Sequence, residues 1–238
     1  MRPVEQLSVK IFADGADLPG MVEMYRQPYI KGFTTNPTLM RQAGVSDYPE
    51  FARQVLQAIP EKPISFEVFS DEFGEMERQA REIASWGENV YVKIPVTNTR
   101  RKSTCDLVRR LSHSDVKLNV TAVLSLGQVL EVAHAVAGGA PACVSVFAGR
   151  VADTGYDPVP LMSAAVEMLR IAPNAELIWA SSREILNIFQ ADAVGCHIIT
   201  VTNDILKKLS VVGRHLEEYS LDTVKMLYND AVRAGFVV

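Results

Sequence analysis

Short apolar runs rich in β-branched and aromatic side chains recur along this chain. Between them lie longer stretches whose apolar residues return every three or four positions. The short runs predict strands over residues 8–12, 32–35, 64–68, 89–94, 117–120, 142–147, 176–180 and 196–200. Most are continuously apolar rather than alternating, as strands are when both faces of a sheet are covered. The longer stretches predict helices over 71–85, 105–111, 125–136, 158–171, 182–191 and 203–209. In the first of these, Met76, Ala80, Ile83 and Ala84 fall on one face, the stripe a helix lays against a sheet.

Strands alternating with helices imply an α/β fold with a parallel sheet. Eight such units in about 200 residues fit a closed (β/α)8 TIM barrel better than an open doubly wound sheet. No G-x-G-x-x-G or G-x-x-x-x-G-K-[ST] follows any strand, which removes the commonest nucleotide-binding forms of the open sheet. Beyond the last unit, residues 221–234 predict one more helix, with Val224, Leu227, Tyr228 and Val232 on one side. A helix added to a complete barrel either caps it or packs on a neighbouring subunit. No internal linker or low-complexity segment interrupts residues 1–238, so the chain reads as one domain.

Composition narrows the class further. Twenty-four basic residues against 28 acidic ones leave a charge of −4. Such mild acidity argues against nucleic acid as the main partner, while leaving room for a local arginine site for one phosphate. The three cysteines (Cys105, Cys143, Cys196) are widely spaced and form no CxxC, and the four histidines form no HxxxH pair. Neither a disulfide framework nor a zinc site is indicated. The first residues reach charge and turn signals too soon for a secretory leader, and no apolar stretch approaches 18 residues. The expectation is a reduced cytoplasmic protein with no membrane partner.

In a barrel of this type chemistry gathers at the carboxyl ends of the strands. Asp14 follows the first predicted strand, and Thr34, Thr35 and Asn36 end the second. Glu67 ends the third, Lys93 lies inside the fourth, and Asn119 and Thr121 close the fifth. Arg150 follows the sixth, and Ser181 and Arg183 follow the seventh. Lys93 is the anomaly, because it interrupts the apolar run Val90–Pro95 and period two puts it with Tyr91, opposite Val92 and Ile94. Burial disfavours an ammonium and yields a nucleophilic amine suited to Schiff-base chemistry. The alternative is a lysine held in a structural salt bridge. Glu67 reads as its ion-pair partner or as a general acid/base, and Asp14 as a turn residue or a second carboxylate of the site. Asn36 before Pro37 is also a helix-start signal. Two carboxylates beside one interior lysine favour catalysis, and Arg150 with Arg183 at adjacent strand ends suits a phosphate clamp.

These residues sit in segments that resemble transaldolase motifs: Lys31-Gly32-Phe33-Thr34-Thr35-Asn36-Pro37-Thr38, Ile64-Ser65-Phe66-Glu67-Val68 and Asn89-Val90-Tyr91-Val92-Lys93-Ile94-Pro95-Val96-Thr97. Lys117-Leu118-Asn119-Val120-Thr121 and Val144-Ser145-Val146-Phe147-Ala148-Gly149-Arg150 continue the series in family order. The length resembles the short branch, which includes the fructose-6-phosphate aldolases. The resemblance implies a class I aldol mechanism without metal or other cofactor. Lys93 forms the Schiff base, Glu67 and a water on Thr121 shuttle protons, and Asp14 takes the C4 hydroxyl proton. Thr35, Asn36, Asn119, Phe147 and Ser181 belong to the substrate-binding set, with Arg150 and Arg183 on the phosphate of a sugar phosphate. The family also implies pentose phosphate metabolism and a homo-oligomer, a pentamer or decamer.

Fructose-6-phosphate aldolases resemble this chain but carry Gln, Leu and Tyr where Glu67, Asn119 and Phe147 stand. All three positions here are similar to the transferases, so transfer of a dihydroxyacetone unit is the expectation. A lyase releasing free dihydroxyacetone is the alternative. A transaldolase specialised for an unusual sugar is another, because Val146, Ala148, Ser182 and the stretch 97–102 depart from the usual family pattern.

Overall fold

The computed structural model describes residues 3–236. Eight parallel strands close in sequence order, β1 to β8, into a barrel. They are β1 Lys10–Asp14, β2 Ile30–Thr34, β3 Ile64–Glu67, β4 Val90–Pro95, β5 Leu118–Val123, β6 Ala142–Val146, β7 Ala175–Trp179 and β8 Ile198–Thr202. The expected (β/α)8 barrel is the observed fold, and each strand lies within a few residues of its predicted place. Strands β1 and β8 are each displaced two residues toward the C-terminus, which makes Asp14 the last residue of β1 rather than a loop residue, and β5 runs three residues further than predicted.

Helices α1 Leu18–Tyr25, α2 Pro37–Gln42 and α3 Tyr48–Ala58 occupy ground where periodicity predicts none. Each opens on an Asx cap with a proline in the first turn. Asp17 accepts from Gly20 N at 2.9 Å, Asn36 from Leu39 N at 2.9 Å and Asp47 from Glu50 N at 2.9 Å. Such caps satisfy amides that a helix start leaves unpaired, a signal that apolar spacing alone passes over. The helices α4 Phe73–Ala84, α5 Cys105–Ser112, α6 Leu126–Val136 and α8 Pro158–Leu169 match their predicted stretches, with the short α7 Ala148–Asp153 added between β6 and α8. The predicted helix 182–191 starts later, as α9 Leu186–Ala193, because Ser181 takes a left-handed φ of 63° and Asn187 Oδ1 accepts from both Arg183 N and Glu184 N. The stretch 203–209 splits into α10 Asn203–Leu206 and a 3-10 turn, Lys207–Val211. The terminal helix α11 spans Leu216–Ala234.

One large apolar cluster fills the space between the strands' outer faces and the helices. A separate, smaller one fills the lower bore: Phe12, Cys143, Ile178, Ala180 and Ile198, with Tyr91 and Phe147 against them. Gly32 makes room for it, because a Cβ there would stand 2.5 Å from the Phe12 ring. The lower bore is therefore plugged, and its upper end opens into the site. The terminal helix differs from the rest: none of its residues is buried. Among the described residues no helix is long and apolar enough to cross a membrane.

Candidate active site

At the carboxyl end of the bore a cavity of about 410 Å³ is lined by Asp14, Thr34, Asn36, Glu67, Lys93, Thr121, Ser145, Phe147, Arg150, Ser181 and Thr200. The face of α2 closes one side with Thr38, Leu39 and Gln42. Strand register builds the floor. Glu67 pairs with Lys93 across β3 and β4, and Asp14 with Thr34 across β1 and β2. Inward-pointing positions on neighbouring strands thus bring residues from distant parts of the chain to one level.

Lys93 is almost fully buried, at 6% exposure. Its Nζ lies 3.2 Å from Glu67 Oε2 and donates to Thr35 O at 3.0 Å. A buried lysine in this setting has one carboxylate to exchange a proton with and one carbonyl to fix its direction. Asp14 Oδ1 accepts from Thr34 Oγ1 at 2.8 Å. Burial raises the Asp14 pKa above the ordinary carboxylate value, and the nearby Lys93 charge and the Thr34 hydroxyl only partly offset it. A carboxylate so placed is a stronger proton acceptor than one in water. Tyr48, from α3, donates its hydroxyl to Glu67 O at 3.0 Å and anchors the end of β3.

The wall across β5 is shaped by a bulge. The register of β5 on β6 slips between Val120 and Val123, with Ala122 at φ 61°. Bulges of this kind re-aim a neighbouring side chain, and Thr121 Oγ1 is buried here with no hydrogen-bond partner among the described residues. A buried hydroxyl in that state wants a water or a substrate atom. Asn36 spends Oδ1 on the α2 cap and also lines the cavity.

Other expected residues occupy second rank. Thr35 does not line the cavity, and its hydroxyl donates to Ser65 O at 2.9 Å, so its contribution is the carbonyl that Lys93 meets. Asn119 is fully buried behind Ser145, with both ends of its amide engaged. The two arginines also part. Arg150 lines the cavity with its guanidinium 5.7 Å from the Phe147 ring centroid. Arg183 does not line it. Its Nε donates to Asp153 Oδ1 at 3.0 Å, an Nη pairs with Asp153 Oδ2, and Nη1 donates to Ser181 O and Oγ, each at 3.1 Å. Gly149 permits this arrangement, since any side chain there would meet Ser181 O.

Sequence reading left Ser145, Thr200 and the α2 face out of the site, and placed Thr34 at a strand end without a role. Ser145 was within reach, because period two puts it on the same face as Phe147; Thr200 likewise alternates with Ile198 on β8. The residues of α2 carried no such signal, because alternation along a strand says nothing about which face of the following helix lines the cavity.

With this geometry in place, known proteins become informative. A family model described as Transaldolase/Fructose-6-phosphate aldolase matches residues 11–236. The chain belongs to that family. A probable transaldolase of Dehalococcoides mccartyi is 35% identical over 202 residues, covering 84% of this chain and 90% of that protein. One from Clostridium acetobutylicum is 36% identical over 202 residues, with 84% and 89% covered. Among solved structures, a sialic acid aldolase of Ruminococcus gnavus superposes with a TM-score of 0.55 at 9% identity, over 81% of this chain and 68% of that one. A lyase/mutase described as putative, from Burkholderia cenocepacia, gives 0.60 at 12%, over 97% and 86%. At such low identity these two show the barrel fold alone. Family membership makes the chain an aldolase-type enzyme.

Proposed function

We propose that this chain is a transaldolase that moves a dihydroxyacetone unit between sugar phosphates through a Schiff base on Lys93. The observation that carries the reading is the buried Lys93 amine, 3.2 Å from Glu67 Oε2 on the cavity floor with Asp14 beside it.

The amine attacks C2 of a ketose phosphate and forms a carbinolamine. Glu67, through a water held on Thr121 Oγ1, delivers the proton with which the C2 hydroxyl leaves as water, giving the iminium. Asp14 takes the C4 hydroxyl proton; the C3–C4 bond breaks and its electron pair flows into the iminium. The aldose phosphate departs and the enamine stays on Lys93. C3 of the enamine then attacks the carbonyl carbon of an acceptor aldose, whose oxygen takes the proton back from Asp14. Water hydrolyses the new iminium and frees Lys93. Asn36 and Ser181 hold substrate hydroxyls, and Arg150 meets the phosphate at the cavity mouth. Phe147 has no hydroxyl to protonate the enamine carbon, which supports transfer over release.

Borohydride added with fructose 6-phosphate should fix a three-carbon adduct on the Lys93 peptide. An unmodified peptide would sink the mechanism. Free dihydroxyacetone accumulating as fast without acceptor as product forms with it would replace transfer by lyase activity.

The same reading extends to assembly. The exposed apolar side of α11, with Val224, Leu227, Tyr228 and Val232 each at least 58% exposed, packs on a second copy of the chain in a pentamer or decamer. A monomeric mass by light scattering would end that part. A reduced, cytoplasmic setting belongs to the proposal.

A further inference from the structure

The closed end of the bore holds a second cavity, of about 270 Å³, with Phe12 and Ile198 of the apolar plug in its wall. Its polar lining is nearly all hydrogen-bond donor. Lys10, on β1, pairs with Glu176, and Lys31, on β2, donates to Pro28 O at 2.7 Å. An ammonium has three N–H groups, so each lysine keeps two. Lys31 owes its place to a bulge. The pairing of β1 with β2 steps from Ile11–Ile30 to Phe12–Gly32 and leaves Lys31 as the extra residue, which re-aims its side chain. A third ammonium, Lys62, stands near enough to feel Lys31. Burial first, and that like charge second, hold the Lys62 pKa below the ordinary lysine value, with Glu61 only partly offsetting them.

Hydroxyls complete the lining. Ser65 is 3% exposed and accepts from Asn119 Nδ2 at 2.9 Å, and among the described residues no acceptor takes its own proton. Tyr91, its neighbour in register on β4, lines the same cavity, and its hydroxyl likewise has no partner among the described residues. Burial pushes the Tyr91 hydroxyl and the Cys143 thiol each up to about 12, so both stay protonated near neutral pH. We infer that the closed end of the bore is a binding site for a small tetrahedral oxyanion of the phosphate class, held by Lys10 and Lys31 with the Ser65 and Tyr91 hydroxyls. This site is independent of the Schiff-base reading of Lys93. Its donors arrive from four consecutive strands, β1 to β4, which suits a ligand with acceptors on every side. A cation would meet two like charges, and Glu176, the lining's one carboxylate, is already paired. An apolar ligand would leave the buried Ser65 proton unmatched, which is costly. Chemistry in such barrels belongs to the other end, so an anion here stabilises the fold and does not react.

Inorganic phosphate is the probe, titrated by calorimetry at fixed ionic strength. Arg150→Ala first removes the phosphate contact proposed for the reaction cavity. In that background one phosphate per chain should still bind and should raise the melting temperature. Adding Lys31→Met should weaken this binding at least tenfold and abolish the thermal shift, and adding Ser65→Ala should weaken it severalfold. Lys31→Met alone should keep turnover within twofold of the natural chain. Glycerol 3-phosphate is titrated alongside; either ligand bound in this pattern supports the site, and the tighter one identifies its source. Failure of both to bind the Arg150→Ala chain, or binding that Lys31→Met and Ser65→Ala leave unmoved, would overturn the inference. A tenfold loss of turnover in Lys31→Met would overturn it too, by tying Lys31 to the reaction cavity. Should Ser65→Ala not fold, Lys10→Met, at an exposed position, takes its place under the same criterion.

Discussion

The bore of this barrel carries a lysine–glutamate pair at each end. At the closed end Lys10 Nζ and Glu176 Oε1 lie 2.6 Å apart with side chains 45% and 37% exposed; at the open end Lys93 and Glu67 lie 3.2 Å apart at 8% and 13%. The shorter pair is the ordinary one. Water screens it, and an exposed pair of this kind contributes about 0.2–1 kcal/mol. The longer pair sits where solvent is scarce, in a cavity that also holds Asp14 and the unpartnered Thr121 hydroxyl. Between the pairs lie Phe12, Cys143, Ile178 and Ile198, which keep the two ends apart. Burial and neighbours, not contact distance, separate the same two residue types into a pair on the floor of a polar cavity at one end and a surface bridge at the other.

Four changes break or sharpen that contrast. The largest effect is expected from Lys93→Ala. Turnover in a coupled aldose phosphate assay should fall by on the order of 10⁴-fold or more, as when a covalent nucleophile is removed. Next is Phe12→Ala in the partition between the two ends. It should cost about 3–5 kcal/mol in a denaturant melt, since a large buried ring leaves a cavity that the surrounding strands cannot close.

Asp14→Asn comes third, with a loss of roughly 10²-fold in kcat, the usual contribution of one proton-transfer group. It also has a pH signature. Burial raises the Asp14 pKa, so its contribution to stability is present below the ordinary carboxylate pKa and is lost as pH rises through the raised value. The asparagine variant, neutral throughout, should melt above the natural chain at neutral pH, with the gap closing in acid. A gap that widens in acid would contradict the assigned shift. The smallest effect belongs to Lys10→Ala: less than about 1 kcal/mol in stability and no measurable change in turnover. A tenfold loss of activity there would erase the distinction between the two pairs.

Much of this was legible in the chain. Lys93 announced itself by interrupting an apolar run, and alternation along β4 correctly set it apart from Val92 and Ile94, which are fully buried in the outer core. Glu67, Asp14 and Thr121 were found because strand ends could be located to within a few residues. Other features were hidden for a common reason. That Arg183 is held by Asp153, that Asn119 serves Ser145, and that the Thr35 hydroxyl is already used are facts about partners 26 to 30 residues away. Periodicity and caps report only on neighbours within a turn or a strand.

The sequence by itself determined the strands, their parallel order, the closed barrel and the residue types that ring its open end, because those follow from short apolar runs that alternate with helical stretches along the chain. Tertiary structure decided which of those polar groups are free. Closing the barrel brings distant strands into register and matches donors with acceptors across the bore. Among the described residues, Thr121 is left without a hydrogen-bond partner and Arg150 lines the cavity with no carboxylate in salt-bridge range, while the proton of Ser145 goes to Asn119. That matching depends on every strand at once, so no segment of the chain could have shown it alone.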